Sequence, residues 1–153
     1  QLKGVIPGGS STPVLLPSEI DVPMTVDGIK AAGSMLGTAC AMVLDETTCA
    51  VRSMLNLMNF YAHESCGQCT PCREGCGWID KILARIEAGQ GTLADVDLVA
   101  NVAGNILGNT ICPFGDGAAM PTLAFVKKFR GEFEQHVLLK KCPQGGRFQW
   151  EAS

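Results

Sequence analysis

No apolar run in this chain approaches the roughly 20 residues that a membrane helix requires, so contact with a membrane would go through partners. Basic residues are not in excess either. A formal net charge of −3 leaves no electrostatic footprint for nucleic acid. The glycine-rich stretches do not make a nucleotide site. Gly8-Gly9-Ser10-Ser11 reads as a turn, and Gly115-Asp116-Gly117 lacks the third glycine and the preceding strand of a dinucleotide fingerprint. No phosphate-binding loop, hydrolytic triad or paired-carboxylate site is evident, and nothing repeats at a period of roughly 20–50 residues. The first residue is Gln1 rather than Met, and no charged-then-apolar leader opens the chain, which therefore reads as a piece of a longer protein or a processed product.

What is present is a globular composition. At 153 residues and 46% hydrophobic content, the chain has room for one core-forming domain and a smaller attached piece. Eight cysteines make an even number, which raises the question of a disulfide framework. Length, the missing secretory leader and the bunching of cysteines near position 70 all argue against one, and for a reducing compartment.

The bunching carries the chemistry. Cys66, Cys69 and Cys72 are separated by two consecutive two-residue gaps, which bring three thiolates together on one short loop. That suits three irons of a cubane iron–sulfur cluster, whose fourth iron takes a ligand from elsewhere. Cys112, followed by Pro113, is the candidate for the fourth. Zinc is the alternative, although structural zinc sites usually pair two separate knuckles. Cys66, Cys69, Cys72 and Cys76 also match a bacterial ferredoxin spacing, but Gly77 follows Cys76 where that pattern has proline. Cys76 reads as a neighbouring core thiol, with ligation the alternative. Cys40, Cys49 and Cys142 stand alone and read as small apolar packing. His63 reads as a partly buried structural residue near the cluster loop, and His136 as lying among surface charges.

Periodicity organises the rest. Residues 1–46 hold short extended pieces, Val14-Leu15-Leu16 between two prolines and the run Ala39–Leu44, so a small, incomplete β-containing unit is expected. Residues 47–141 turn helical, and a loose tail, 142–153, follows. Val51, Met54, Leu55, Met58, Tyr61 and Ala62 mark the inner face of a first helix. Thr70 as cap and Pro71 at the first position open a second, which buries Trp78, Ile79, Ile82, Leu83 and Ile86 and stops at Gly89 and Gly91. Thr92 with Asp95 predicts a capping box for a third, carrying Val96, Val99, Val102, Ala103, Ile106 and Leu107. A fourth holds Leu123, Val126, Phe129, Phe133 and Val137 inward, with Pro121 in its first turn. The prediction is a mainly α fold, a four-helix bundle preceded by part of a β-unit. In an up-and-down bundle, the loop between helices one and two and the loop between helices three and four lie at the same end. Cys112 therefore arrives beside the other three cysteines.

These residues resemble a known family. Glu64-Ser-Cys-Gly-Gln-Cys-Thr-Pro-Cys-Arg-Glu-Gly75 is similar to the iron–sulfur signature of the NADH-binding flavoprotein subunit of respiratory complex I. The resemblance extends to Thr110-Ile-Cys-Pro-Phe-Gly-Asp-Gly-Ala-Ala-Met-Pro121. Upstream it reaches Ile6-Pro-Gly-Gly-Ser-Ser, Gly33-Ser-Met-Leu-Gly37 and Val43-Leu-Asp-Glu-Thr-Thr48, which resemble the end of the family's β-grasp domain. It implies a C-terminal fragment in which Cys66, Cys69, Cys72 and Cys112 hold a [4Fe–4S] cluster. That cluster would accept electrons from FMN after NADH oxidation, with both FMN and NADH bound on an N-terminal portion outside these residues. Cys76 departs from the family, which commonly has no cysteine there. The resemblance further implies other iron–sulfur subunits as partners, no nucleic acid and no direct membrane insertion. Its location would be the bacterial cytoplasm or the mitochondrial matrix side, peripheral to the membrane. The equivalent subunit of a soluble NAD-reducing hydrogenase or NAD-dependent formate dehydrogenase shares the motif, and a zinc-stapled interaction module is the reading from a different class.

Overall fold

Hydrophobic periodicity dictates where the chain turns from extended to helical, and the computed structural model, which describes residues 1–145, follows it. Strand β1 (Leu2–Ile6) is followed by a short helix α1 (Val26–Ala31) and by strand β2 (Met42–Asp45). Five further helices complete the fold: α2 (Ala50–Glu64), α3 (Thr70–Glu87), α4 (Leu93–Ile106), α5 (Phe114–Lys128) and α6 (Arg130–Leu139). The expected tail 142–153 lies largely outside the described residues. Among the described residues no helix is long and apolar enough to cross a membrane.

β1 and β2 pair antiparallel, from Leu2 opposite Asp45 to Ile6 opposite Met42. Leu15, in the extended stretch between the prolines, adds a bridge to Val5 with backbone bonds of 2.9 and 2.7 Å. So small a sheet cannot stand alone. Ile6 of β1 and Val14, next to the bridge, belong to the same apolar core as the helices. Polar ties reinforce the seam. Lys3 Nζ donates to the Thr48 carbonyl at 2.5 Å and pairs with Glu132, while its ammonium lies 5.5 Å above the Phe129 ring. Lys128 Nζ donates to the Val14 carbonyl at 2.8 Å, and the Ser11 and Tyr61 hydroxyls meet at 2.5 Å.

Helices α2 to α5 run up and down, each packed on the next. Val51, Met54, Met58 and Tyr61 of α2, and Ile79, Ile82, Leu83 and Ile86 of α3, are buried against Val96, Val99, Ala103 and Ile106 of α4. At about 25 cal/mol per Å² of apolar surface removed from water, this shared core is the main stabilising term. The capping box at the start of α4 forms as expected, with Thr92 and Asp95 exchanging side-chain and backbone bonds.

Three expectations are corrected. Trp78 is not in the core; it is 54% exposed, one position off the Ile79–Ile82–Leu83–Ile86 stripe. Pro121 does not open the last helix, because α5 already begins at Phe114 and Pro121 lies buried inside it. Gly115, Gly117, Ala118 and Ala119 are buried there as well. Close packing of this small-residue face outweighs the weak helix propensity of the stretch. Finally, the fourth helix divides at Phe129, whose φ of −113° and ψ of 23° leave the helical region. The fifteen residues of α5 already match the fifteen of α2. A straight continuation would leave the bundle, whereas the break folds α6 back so that Phe133 and His136 are buried.

Candidate metal centre

Two loops at one end of the bundle build the site. The first begins where α2 stops: the Ser65 amide donates to the Tyr61 carbonyl at 3.1 Å and the backbone then turns extended. Cys69 sits at the N-cap of α3 without spending its side chain on capping, so its sulfur stays available. The helix thus starts at Thr70 with Pro71 inside its first turn, and its cap, Cys69, lies one residue ahead of the expected cap at Thr70. Cys72 lies on that same turn, buried, with its sulfur 3.3 Å from the Ser65 hydroxyl. Arg73 clasps the loop from outside, donating to the Gly67 carbonyl at 2.6 Å.

The second loop follows α4. The Gly108 amide donates to Asp116 Oδ1 at 2.7 Å, and the Thr110 hydroxyl donates to the Cys112 carbonyl at 3.0 Å. α5 starts immediately after Pro113, and the Gly117 amide closes its first turn onto the Pro113 carbonyl at 2.8 Å. Gly115 is required by space: a Cβ there would come within 2.6 Å of Thr110 Cγ2 and Oγ1.

The loops meet. Cys66, Cys69, Cys72 and Cys112 line one cavity of about 150 Å³, together with Glu64, Ser65, Thr110, Phe114 and Gly115. Sequence reasoning missed one contributor, the Ile111 amide, which donates to Cys69 Sγ at 3.4 Å. Backbone amides carry no residue signature, so nothing in the sequence singled it out. The N-termini of α3 and α5 both open at this cavity, and the positive ends of their dipoles favour negative charge there. The donor set is mainly sulfur, which suits soft or borderline metals such as iron–sulfur clusters and zinc over hard cations.

Cys76 is one turn above Cys72, fully buried and absent from the cavity lining. Burial pushes its thiol up to about 12, and the Cys72 sulfur beside it adds to the rise. It stands as a neutral core thiol. His63 is exposed, 3.9 Å from Glu64, rather than partly buried. His136, expected among surface charges, is fully buried. Its position three residues after Phe133 and seven after Phe129 places it on the inward stripe, a signal that the flanking charges obscured. Cys49 and Cys142, read as lone packing residues, lie beside it.

Residues 52–136 match the model of the NADH-ubiquinone oxidoreductase-F iron–sulfur binding region. The F subunit of NADH-quinone oxidoreductase in Streptomyces coelicolor is 50% identical over 143 residues, 94% of this chain and 32% of that protein. Its counterpart in Rickettsia felis is 44% identical over 136 residues, 89% of this chain and again 32% of its own length. The chain thus spans about a third of the curated relatives that it matches. Among solved structures, an NAD+-reducing [NiFe]-hydrogenase in the air-oxidised state superposes with a TM-score of 0.79 at 28% identity. That match covers 90% of this chain and 24% of the hydrogenase chain.

Proposed function

This chain belongs to the NADH-ubiquinone oxidoreductase-F iron–sulfur family, and from that premise we propose that Cys66, Cys69, Cys72 and Cys112 hold a [4Fe–4S] cluster serving electron transfer in an NADH:quinone oxidoreductase. The observation that carries this reading is that those four cysteines, from two loops, line one cavity. FMN and NADH belong to a portion of the protein outside these 153 residues, which contain no glycine-rich dinucleotide fingerprint. The division into a β-grasp piece, 1–46, and an iron–sulfur bundle, 47–141, is part of the proposal, as is a peripheral position reached through partner subunits.

Bound there, a [4Fe–4S] cluster supplies one-electron uptake and release with little rearrangement. The chain's own residues set the conditions. The Ile111 amide, donating to Cys69 Sγ, offsets negative charge on that sulfur and favours the reduced form. The N-termini of α3 and α5 act in the same direction. Pro71 and Pro113 stiffen the backbone next to Cys72 and Cys112. Cys76, held neutral, adds no further charge beside Cys72.

Iron and acid-labile sulfide analysis tests the reading. The expected result is about four of each per chain, in a brown sample that bleaches on reduction. Zinc in place of iron, with no sulfide, would replace it with the interaction-module reading. The hydrogenase neighbour supports a second reading within the same chemistry, the equivalent subunit of a soluble NAD-reducing enzyme. Co-purifying subunits decide between the two: membrane subunits for one, hydrogenase or formate dehydrogenase subunits for the other.

A further inference from the structure

His136 is buried at the pole of the bundle far from the four-cysteine cavity. α2 separates the two ends: Cys49 caps its start and Cys66 follows its close. Fifteen residues at about 1.5 Å per residue put roughly 20 Å between them. The imidazole does not pack against apolar groups alone. Its Nε2 lies 3.3 Å from Cys49 Sγ and 3.3 Å from Glu87 Oε2, and those two atoms are 3.9 Å apart. Cys142 completes the group, and all four donor atoms lie within 4.8 Å of one another.

We propose that Cys49, Glu87, His136 and Cys142 form a second metal site, a structural zinc centre that clamps the pole of the bundle opposite the four-cysteine cavity. A tetrahedron built on the usual zinc bond lengths to sulfur, nitrogen and carboxylate oxygen has ligand–ligand edges of about 3.3–3.8 Å. Two of the separations among Cys49, Glu87 and His136, both 3.3 Å, sit at that spacing, and the third, 3.9 Å between Cys49 and Glu87, is just beyond it. The histidine is also fixed as a ligand would be. Its Nδ1 is 2.8 Å from the Glu132 carbonyl, which can only accept, so Nδ1 carries a proton and Nε2 is the nitrogen turned toward Cys49 and Glu87, where a metal would replace its proton.

The supporting shell is complete around that bond. Glu132 Oε1 accepts the Ala50 amide at 2.7 Å and its other oxygen pairs with Lys3, which holds the α6 turn bearing His136 against the start of α2. Cys49 Sγ accepts the Arg52 amide at 3.2 Å at the N-terminus of α2, which fixes the direction of the sulfur. Lastly, the donors come from four separate segments: the N-cap of α2, the last residue of α3, the middle of α6 and the stretch beyond it. The backbone has been brought together to allow this. Gly89, at φ +71°, lies so close to the chain leaving α6 that a Cβ would fall 2.1 Å from the Lys140 carbonyl. Two sulfurs, one imidazole and one carboxylate make a closed, borderline-soft set, which selects zinc over calcium or magnesium.

Metal analysis of the full chain, expressed with zinc supplied, tests this separately from the iron site. The expected result is about one zinc per chain in addition to iron, with a zinc X-ray absorption shell of two sulfurs near 2.3 Å and two lighter atoms near 2.0 Å. Cys49→Ser with His136→Gln lowers zinc about tenfold or more and leaves iron content unchanged; Cys112→Ser disturbs iron and leaves zinc in place. The absorption shell is read on the unaltered protein, so the test survives a variant that does not fold. No zinc in the unaltered protein, a four-sulfur shell, or zinc that persists in the double variant would each overturn the assignment.

Discussion

The backbone amide of Ile111 donates to the sulfur of Cys69 at 3.4 Å, joining two loops that are forty-two residues apart in sequence. Removing that donor while keeping the cysteines isolates its effect on the redox centre. Ile111→Pro is expected to retain iron and to lower the midpoint potential by about 20–60 mV, the one-electron equivalent of one hydrogen bond of about 0.5–1.5 kcal/mol. Ile111→Ala keeps the amide and should leave the potential unchanged. Equal potentials in both variants by redox titration would remove the amide from the tuning set.

Cys76 and Cys112 separate the two possible ligand sets. Cys112 lines the cavity and Cys76 does not. Cys112→Ser is therefore expected to degrade or convert the cluster, and Cys76→Ser to leave its electron paramagnetic resonance signal intact. The reverse pattern would transfer the fourth position to Cys76.

Gly115 is packed so tightly on Thr110 that a methyl group has no room. Gly115→Ala should displace the loop bearing Cys112, cost about 1–3 kcal/mol and reduce iron occupancy. Thermal unfolding and iron content measured together check this. A Tm lower by roughly 2–10 °C is expected for a chain of this size.

Asp95 ties the end of α3 to the start of α4. Burial pushes its carboxyl up, but the Arg85 guanidinium together with the Thr92 amide and hydroxyl outweighs this and holds it below 3.8. A carboxyl lowered in the folded state adds stability above its unfolded value and loses it as the pH falls through the folded one. Asp95→Asn is expected to cost about 1–2 kcal/mol at pH 7 and to have little effect at a pH below the folded value. Urea unfolding at both pH values reads the difference. A cost that does not change with pH would mean that the capping geometry, not the charge, provides the stability.

Much of this architecture was legible because local and global signals agreed. The Thr92–Asp95 box, the apolar stripes of α2 and α3, and two cysteine loops at one end of an up-and-down bundle needed no long-range information. The misreadings have physical causes. In α5, tertiary packing overrode the weak propensity of Gly115, Gly117 and Pro121. At Phe129 the helix broke because the bundle had reached its full length, which no residue type announces. His136 lies on the inward stripe, yet its charged neighbours suggested a surface. Its partner Cys49 is eighty-seven residues away, so only the fold brings the two together.

The most direct test is an anomalous-difference map collected at the iron edge from crystals of the iron-loaded protein. Strong density bounded by the sulfurs of Cys66, Cys69, Cys72 and Cys112 is the expected result. No iron between the two loops, or iron there with the Cys112 sulfur turned away from it, would contradict the assignment of these four cysteines as the ligands of an electron-transfer cluster.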